Sequence, residues 1–167
     1  MALVSGLALL VVVSYGAALG APLMFDDLPN LVDNPLMRFD PAVFEGWRTA
    51  TMSGESGVLL RPVSMASFAV NYGIDSGFNP VALKAGNLVI HLLCAVLVYQ
   101  LAQLLFSALG KWTERETVNR LAVLATACWV LHPLHVSTVL YAVQRMAQLS
   151  TLFVLLGLVV YSRYRYR

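Results

Sequence analysis

VALKAGNLVIHLLCAVLVYQLAQLLFSAL, residues Val81–Leu109, carries a single formal charge, Lys84 near its start. A helix crosses a bilayer with about 20 mainly apolar residues, within a range of about 17–25. This stretch meets that length with residues to spare, and so it decides the class: an all-α, polytopic membrane protein. Composition agrees. The 167 residues are 59% hydrophobic and 12% charged, with a mean hydropathy of +0.72. Soluble domains hold about 45–50% apolar and about 25% charged residues. A net charge of +2, with no Lys/Arg-rich run interleaved with aromatics, argues against nucleic acid as a partner.

Three further apolar segments flank this one: about Leu3–Leu23, Leu121–Leu131 and Met146–Tyr161. The expected organisation is a first span over residues 1–23, an extracytoplasmic loop over 24–80 and a second span over 81–109. A cytoplasmic link over 110–119, a third span over 120–132 and an extracytoplasmic link over 133–145 follow. The fourth span covers 146–162, and a cytoplasmic tail 163–167. The third segment is short and borrows from Thr117–Arg120 to reach across. Nothing before Arg38 is basic, so the N-terminus reads as an uncleaved signal anchor rather than a signal peptide.

Positive charge orients the spans. Lys111, Arg115 and Arg120 crowd the second link, and Arg163, Arg165 and Arg167 close the sequence. Cytoplasmic segments carry the excess of Lys and Arg. The long loop holds Arg38, Arg48 and Arg61 diluted among seven acids, Asp26, Asp27, Asp33, Asp40, Glu45, Glu55 and Asp75, as suits the other side. Within it, turn signals at Asp33-Asn34-Pro35, Asp40-Pro41 and Asn79-Pro80 separate amphipathic pieces at Val43–Met52 and Val63–Tyr72. Ser53–Gly57 reads as a flexible patch between them. Phe44, Trp47, Phe68 and Tyr72 suit helices lying aromatic side down on the bilayer surface. Cys94 and Cys128 sit in apolar runs without a CxxC or zinc-type spacing, which reads as two free thiols.

Candidate chemistry lies in the polar residues on the extracytoplasmic side. Asp26-Asp27 follows the first apolar run, and adjacent acids can supply a general base, a charge stabiliser or half of a metal site. Alternatively they only end a helix and keep the loop soluble. Asn87 and His91 share one face of the second span, where interhelical hydrogen bonding is the plain alternative. His132-Pro133-Leu134-His135 ends the third segment, and Gln144-Arg145 opens the fourth. Arg61-Pro62 precedes an amphipathic helix and could equally anchor the loop by pairing with an acid. Polar groups at membrane depth face an interior or a water-filled cavity, so acids, histidines and arginines are expected to converge on one pocket. The His-x-x-His spacing allows two metal ligands, but Pro133 interrupts the helix and no third ligand stands out.

Phe25-Asp26-Asp27, Asn30, Asn34-Pro35, Arg61-Pro62-Val63-Ser64, Asn79-Pro80, Asn87-Leu88, His91, His132-Pro133-Leu134-His135 and Arg145 occur in an order that resembles one family. It is the N-terminal region of the transmembrane-and-TPR-containing O-mannosyltransferases and their bacterial relatives, multi-span glycosyltransferases of the GT-C class. The resemblance runs from about Gly16 to Tyr161. It implies transfer of a sugar from a polyprenyl-phosphate carrier to a hydroxyl of a protein or glycan outside the cytoplasm. It also implies Asp26 or Asp27 as the base that deprotonates the acceptor. Arg145 comes first as partner of the donor phosphate, then Arg61, His132 and His135, with Asn87, His91 and Gln144 as supporting polar groups. Further membrane helices or a TPR domain would complete the site, since these 167 residues hold half of it. A divalent cation is left open. The resemblance to bacterial members favours a bacterial inner membrane over the endoplasmic reticulum. A non-catalytic membrane adaptor that keeps the half-site is the alternative. Neither inverted repeats nor interrupted helix pairs indicate a carrier.

Overall fold

The computed structural model describes residues 2–54, 60–110 and 114–165, with the backbone alone for residues 2–4. Lys111, Arg167, Glu55 and most of the Ser53–Gly57 patch lie outside the described residues. Every described element is helical: α1 (Ala2–Gly16), α2 (Phe44–Thr51), α3 (Pro62–Asp75), α4 (Pro80–Ala108), α5 (Arg115–Val130), α6 (His135–Leu140) and α7 (Arg145–Arg165). A π-helical turn at Leu28–Val32 and 3-10 turns at Pro35–Met37 and Ala142–Gln144 complete the order. The chain divides into two compact units. A helical unit comprises Met1–Ala17, Leu88–Val136 and Ala147–Arg167, and a loop unit comprises Ala18–Asn87 and Ser137–Met146.

The helical unit contains α1, α5 and most of α4 and α7. Val11 and Tyr15 of α1, Val118, Ala122 and Val130 of α5, and Val159 of α7 are buried. Other apolar residues of the same helices face outward: Leu9, Leu10 and Val13 on α1, and Phe153, Val154 and Val160 on α7. Outward apolar faces on long helices match a hydrocarbon surround. Two helical segments among the described residues have the length and composition to cross a membrane, Pro80–Ala108 and Ala142–Arg165.

The expectation of four spans is therefore met by two on that measure. The first segment stops short because α1 ends at Gly16 and the chain turns through Gly20, Ala21 and Pro22 toward the loop. Fifteen residues reach only about 22 Å at about 1.5 Å per residue. In the third, α5 does take in Thr117–Arg120, but Arg115, Glu116 and Arg120 occupy its first two turns, leaving Leu121–Val130 as its apolar part.

The loop unit is a small packed domain rather than a surface strap. Leu31, Met37, Ala50, Met65, Phe68, Ala69, Leu83, Ala142, Val143 and Met146 form its core. The aromatic residues expected to lie on the bilayer surface pack inward instead, Phe44 excepted. Phe68 is fully buried, whereas Phe44 is 81% exposed. Ring contacts link Phe39 to Trp47 at 5.0 Å, Phe39 to Tyr72 at 5.3 Å and Tyr72 to Phe78 at 5.3 Å. Such edge and tilted contacts add to the burial of large apolar rings, and α2 and α3 pack against each other. Asn34 joins the turns below them. Its Oδ1 accepts from the Leu36 N–H at 3.0 Å, capping the Pro35–Met37 turn, and its Nδ2 donates to the Ser53 carbonyl at 3.2 Å.

Candidate functional site

The loop unit separates the two aspartates. Phe25, at φ 50°, occupies the left-handed region that a bulky residue seldom adopts, and the chain then turns sharply into Asp26-Asp27. Asp27 is buried: Oδ1 accepts from the Val143 N–H at 2.7 Å and Oδ2 from the Met24 N–H at 3.3 Å. Asp26 is exposed. Its backbone N–H donates to the Tyr141 hydroxyl oxygen at 2.7 Å, and its carbonyl accepts from Asn30 Nδ2 at 2.8 Å. The peptide is fixed while the carboxylate faces outward. Burial, helped by the charges of Asp26 and Asp27, raises the Tyr141 phenol above its ordinary pKa. It stays protonated at neutral pH as a hydroxyl donor beside the acid.

Arg145 lies within the same unit and is 2% exposed. Nε donates to Asn87 Oδ1 at 2.9 Å, Nη1 to Asn71 Oδ1 at 2.7 Å and the Ser67 carbonyl at 3.1 Å, and Nη2 to the Leu83 carbonyl at 2.7 Å. The guanidinium carbon sits 4.5 Å over the Phe68 ring. The planar fork explains why arginine fills this place, since its donors sit on three separate nitrogens and meet four acceptors, whereas an ammonium offers three donors from a single atom. Asn87 completes the knot by donating through Nδ2 to the Tyr141 carbonyl at 3.0 Å. Gly86 leaves room for the guanidinium: a Cβ there would meet Nη2 at 2.7 Å. Gln144, half-buried, ends the 3-10 turn before Arg145.

Arg61 is exposed and left-handed at φ 44°, just before α3, with Nη1 3.2 Å from the Met146 sulfur. It makes no ion pair among the described residues, so the loop-anchoring pair with an acid is not seen. The sequence reading passed over Lys84 as a site residue. Its ammonium is buried, donates to the Ala21 and Pro22 carbonyls, and feels the charge of Asp27. A lysine in an apolar segment is itself the signal, because such a charge persists only with partners. Tyr141 and Asn71 had no comparable sequence signal as site residues.

The histidines fall in the helical unit, whereas Asp26, Asp27, Arg61 and Arg145 fall in the loop unit. His91 Nε2 donates to the Val130 carbonyl at 3.0 Å and its ring stacks on Trp129 at 5.2 Å. His135 lies 4.6 Å from Trp129 and 5.0 Å from His91, and His132 is 6.5 Å from His135. Burial, then the neighbouring His132, lowers the His135 pKa. Among the described residues, no three His, Cys, Asp or Glu side chains are grouped to hold a metal.

No protein-family profile and no solved structure matches the chain. Curated relatives do. It is 28% identical to the mouse protein O-mannosyl-transferase TMTC4 over 148 residues, which cover 84% of this chain and 20% of that protein. It is 26% identical to the human TMTC4 protein over 91% of this chain and 22% of the relative. The Caenorhabditis elegans protein O-mannosyl-transferase F38B6.6 is 28% identical over 92% of this chain and 22% of its own length. All three are animal proteins, so they lend no support to a bacterial inner membrane. The chain spans about a fifth of the length of these relatives, and over most of its own length it resembles TMTC-type protein O-mannosyltransferases.

Proposed function

We propose that this chain is the acid-bearing part of a membrane glycosyltransferase that moves a sugar from a polyprenyl-phosphate carrier to a protein hydroxyl on the extracytoplasmic side. The observation that carries the reading is the division of labour between the two aspartates. Asp26 offers an exposed carboxylate on a fixed peptide, and Asp27 is consumed by backbone amides. Asp26 takes the proton of the acceptor hydroxyl as its oxygen bonds to the anomeric carbon. The bond from that carbon to the phosphate oxygen breaks, and the lipid phosphate leaves with the electron pair. Direct displacement inverts the anomeric centre.

A leaving phosphate calls for a cation with free donors. Arg61, exposed and outside any ion pair among the described residues, fits that need within the same unit. Arg145, first choice from sequence, has its N–H groups spent on interior acceptors, so its role is to hold Asn87, Asn71 and the Leu83 carbonyl in place.

The test is sugar transfer by the full-length protein in membranes. Asp26→Asn lowers transfer by about 100-fold or more, the scale of a lost general base, while membrane insertion and thermal stability hold. Arg61→Gln lowers it less and weakens donor use. Full transfer by Asp26→Asn would overturn the assignment and favour the non-catalytic adaptor.

A further inference from the structure

Two cavities in the helical unit belong to no part of the proposed transfer site. One, of about 480 Å³, is lined by Gln100, Gln103, Ser107, Arg115 and Arg163. The other, of about 500 Å³, is lined mainly by apolar residues of α1, α4 and α5, including Leu7, Val11, Leu92, Val96 and Val130. Each lies in the size range of small-ligand sites, about 300–1,000 Å³. Gln100, Gln103 and Arg163 line both, so a polar, cationic chamber adjoins an apolar one.

The charges of the polar chamber are largely uncommitted. Arg163 donates from Nη2 to Gln100 Oε1 at 2.7 Å, and the rest of its guanidinium has no acceptor among the described residues. The Arg115 side chain makes no hydrogen bond or ion pair among them. Of the two acids that flank it, Glu116 is taken by Arg120, and Glu114 makes no ion pair with it among the described residues. Tyr99, Gln103 and Asn119 bond to one another; Gln103 lines both chambers and Tyr99 the apolar one.

We infer that this pair of cavities binds an anionic phospholipid, its phosphate between Arg115 and Arg163 and an acyl chain in the apolar chamber. Charge complementarity selects this occupant. A covering protein helix would bury two guanidiniums and need carboxylates to meet them, and a zwitterionic lipid would bring its own cation beside them, leaving their charge uncompensated. On the orientation read from the charge distribution, this is the cytoplasmic end, where basic pockets between helices take anionic headgroups. The inference stands independently of the proposed sugar transfer, since none of its residues belongs to that site.

Native mass spectrometry of the full-length protein in neutral detergent, titrated with phosphatidylglycerol or phosphatidylcholine, tests it. Phosphatidylglycerol is expected to bind at least tenfold more tightly. Arg115→Gln and Arg163→Gln each weaken it about fivefold, following the electrostatic increment per cation near an anionic surface, and Arg163→Lys restores most of the loss. Ala8→Phe, which fills the apolar chamber, weakens both lipids while leaving the preference for the anionic one. Equal binding of the two lipids, or a preference untouched by both glutamine variants, would overturn the site. So would a polyprenyl phosphate that displaces phosphatidylglycerol at lower concentration, because the chamber would then belong to the donor.

Discussion

The two units solve one problem, polar groups in an apolar chain, by opposite means. In the loop unit, charged side chains go inside and grip neutral partners. Arg145 holds two asparagine oxygens and two backbone carbonyls, Lys84 holds the Ala21 and Pro22 carbonyls, and Asp27 accepts from two backbone amides. In the helical unit the interior polar side chains among the described residues are neutral: His91 donates to the Val130 carbonyl and stacks on Trp129, and Tyr99 bonds with Asn119 and Gln103. Buried charges that hold backbone fix an irregular segment in one conformation, whereas regular helices already satisfy their own backbone. The loop unit needs such clamps because its backbone is irregular around Asp26.

That contrast can be broken most severely at Arg145. Arg145→Met strands Asn71 Oδ1 and Asn87 Oδ1, each a loss of about 1–3 kcal/mol if unsatisfied. Unfolding of the loop unit, read by thermal denaturation in detergent, is the expected outcome. Arg145→Lys should rescue little of it; stability close to the parent would show that the clamp is dispensable.

Gly86→Ala comes next, because its Cβ would sit 2.7 Å from Arg145 Nη2. Displacing a clamped guanidinium should cost about 1–3 kcal/mol, as overpacking does. Gly157 in α7 has open space around it, so Gly157→Ala should instead raise stability, by about 0.5–1 kcal/mol. Opposite signs in the two melts support the contrast, and equal signs abolish it. Asn34→Ala removes a cap and the tie to Ser53, with an expected loss of about 1–2 kcal/mol.

The smallest effect expected is on pH response. His135 has a folded pKa below its ordinary value, through burial and His132. Its neutral form is therefore favoured by folding. The stabilisation is complete above the unfolded value of about 6.5 and is lost as the pH falls through the folded value. Trp129, in ring contact with His135, should report this as a fluorescence change with a midpoint below 6.5. His132→Ala should move the midpoint upward, and an unmoved midpoint would remove His132 as a cause.

Much of the chain could be read from residue order. The apolar run at Val81–Leu109 became α4, and the pieces at Val43–Met52 and Val63–Tyr72 became α2 and α3, because periodicity and Pro/Asn punctuation are local signals. Residue type and place singled out the Asp26-Asp27 pair, Arg61 and Arg145 as candidates without ranking Asp26 over Asp27. Which aspartate is exposed, that Arg145 is an interior clamp, that Lys84 touches the loop carbonyls and that the histidines stack with Trp129 were decided only by tertiary structure. These contacts join residues tens of positions apart, as Lys84 to Ala21 or Arg145 to Asn71. A side chain's chemistry is written in the sequence, but whether it faces solvent or meets an acceptor depends on what the fold brings beside it.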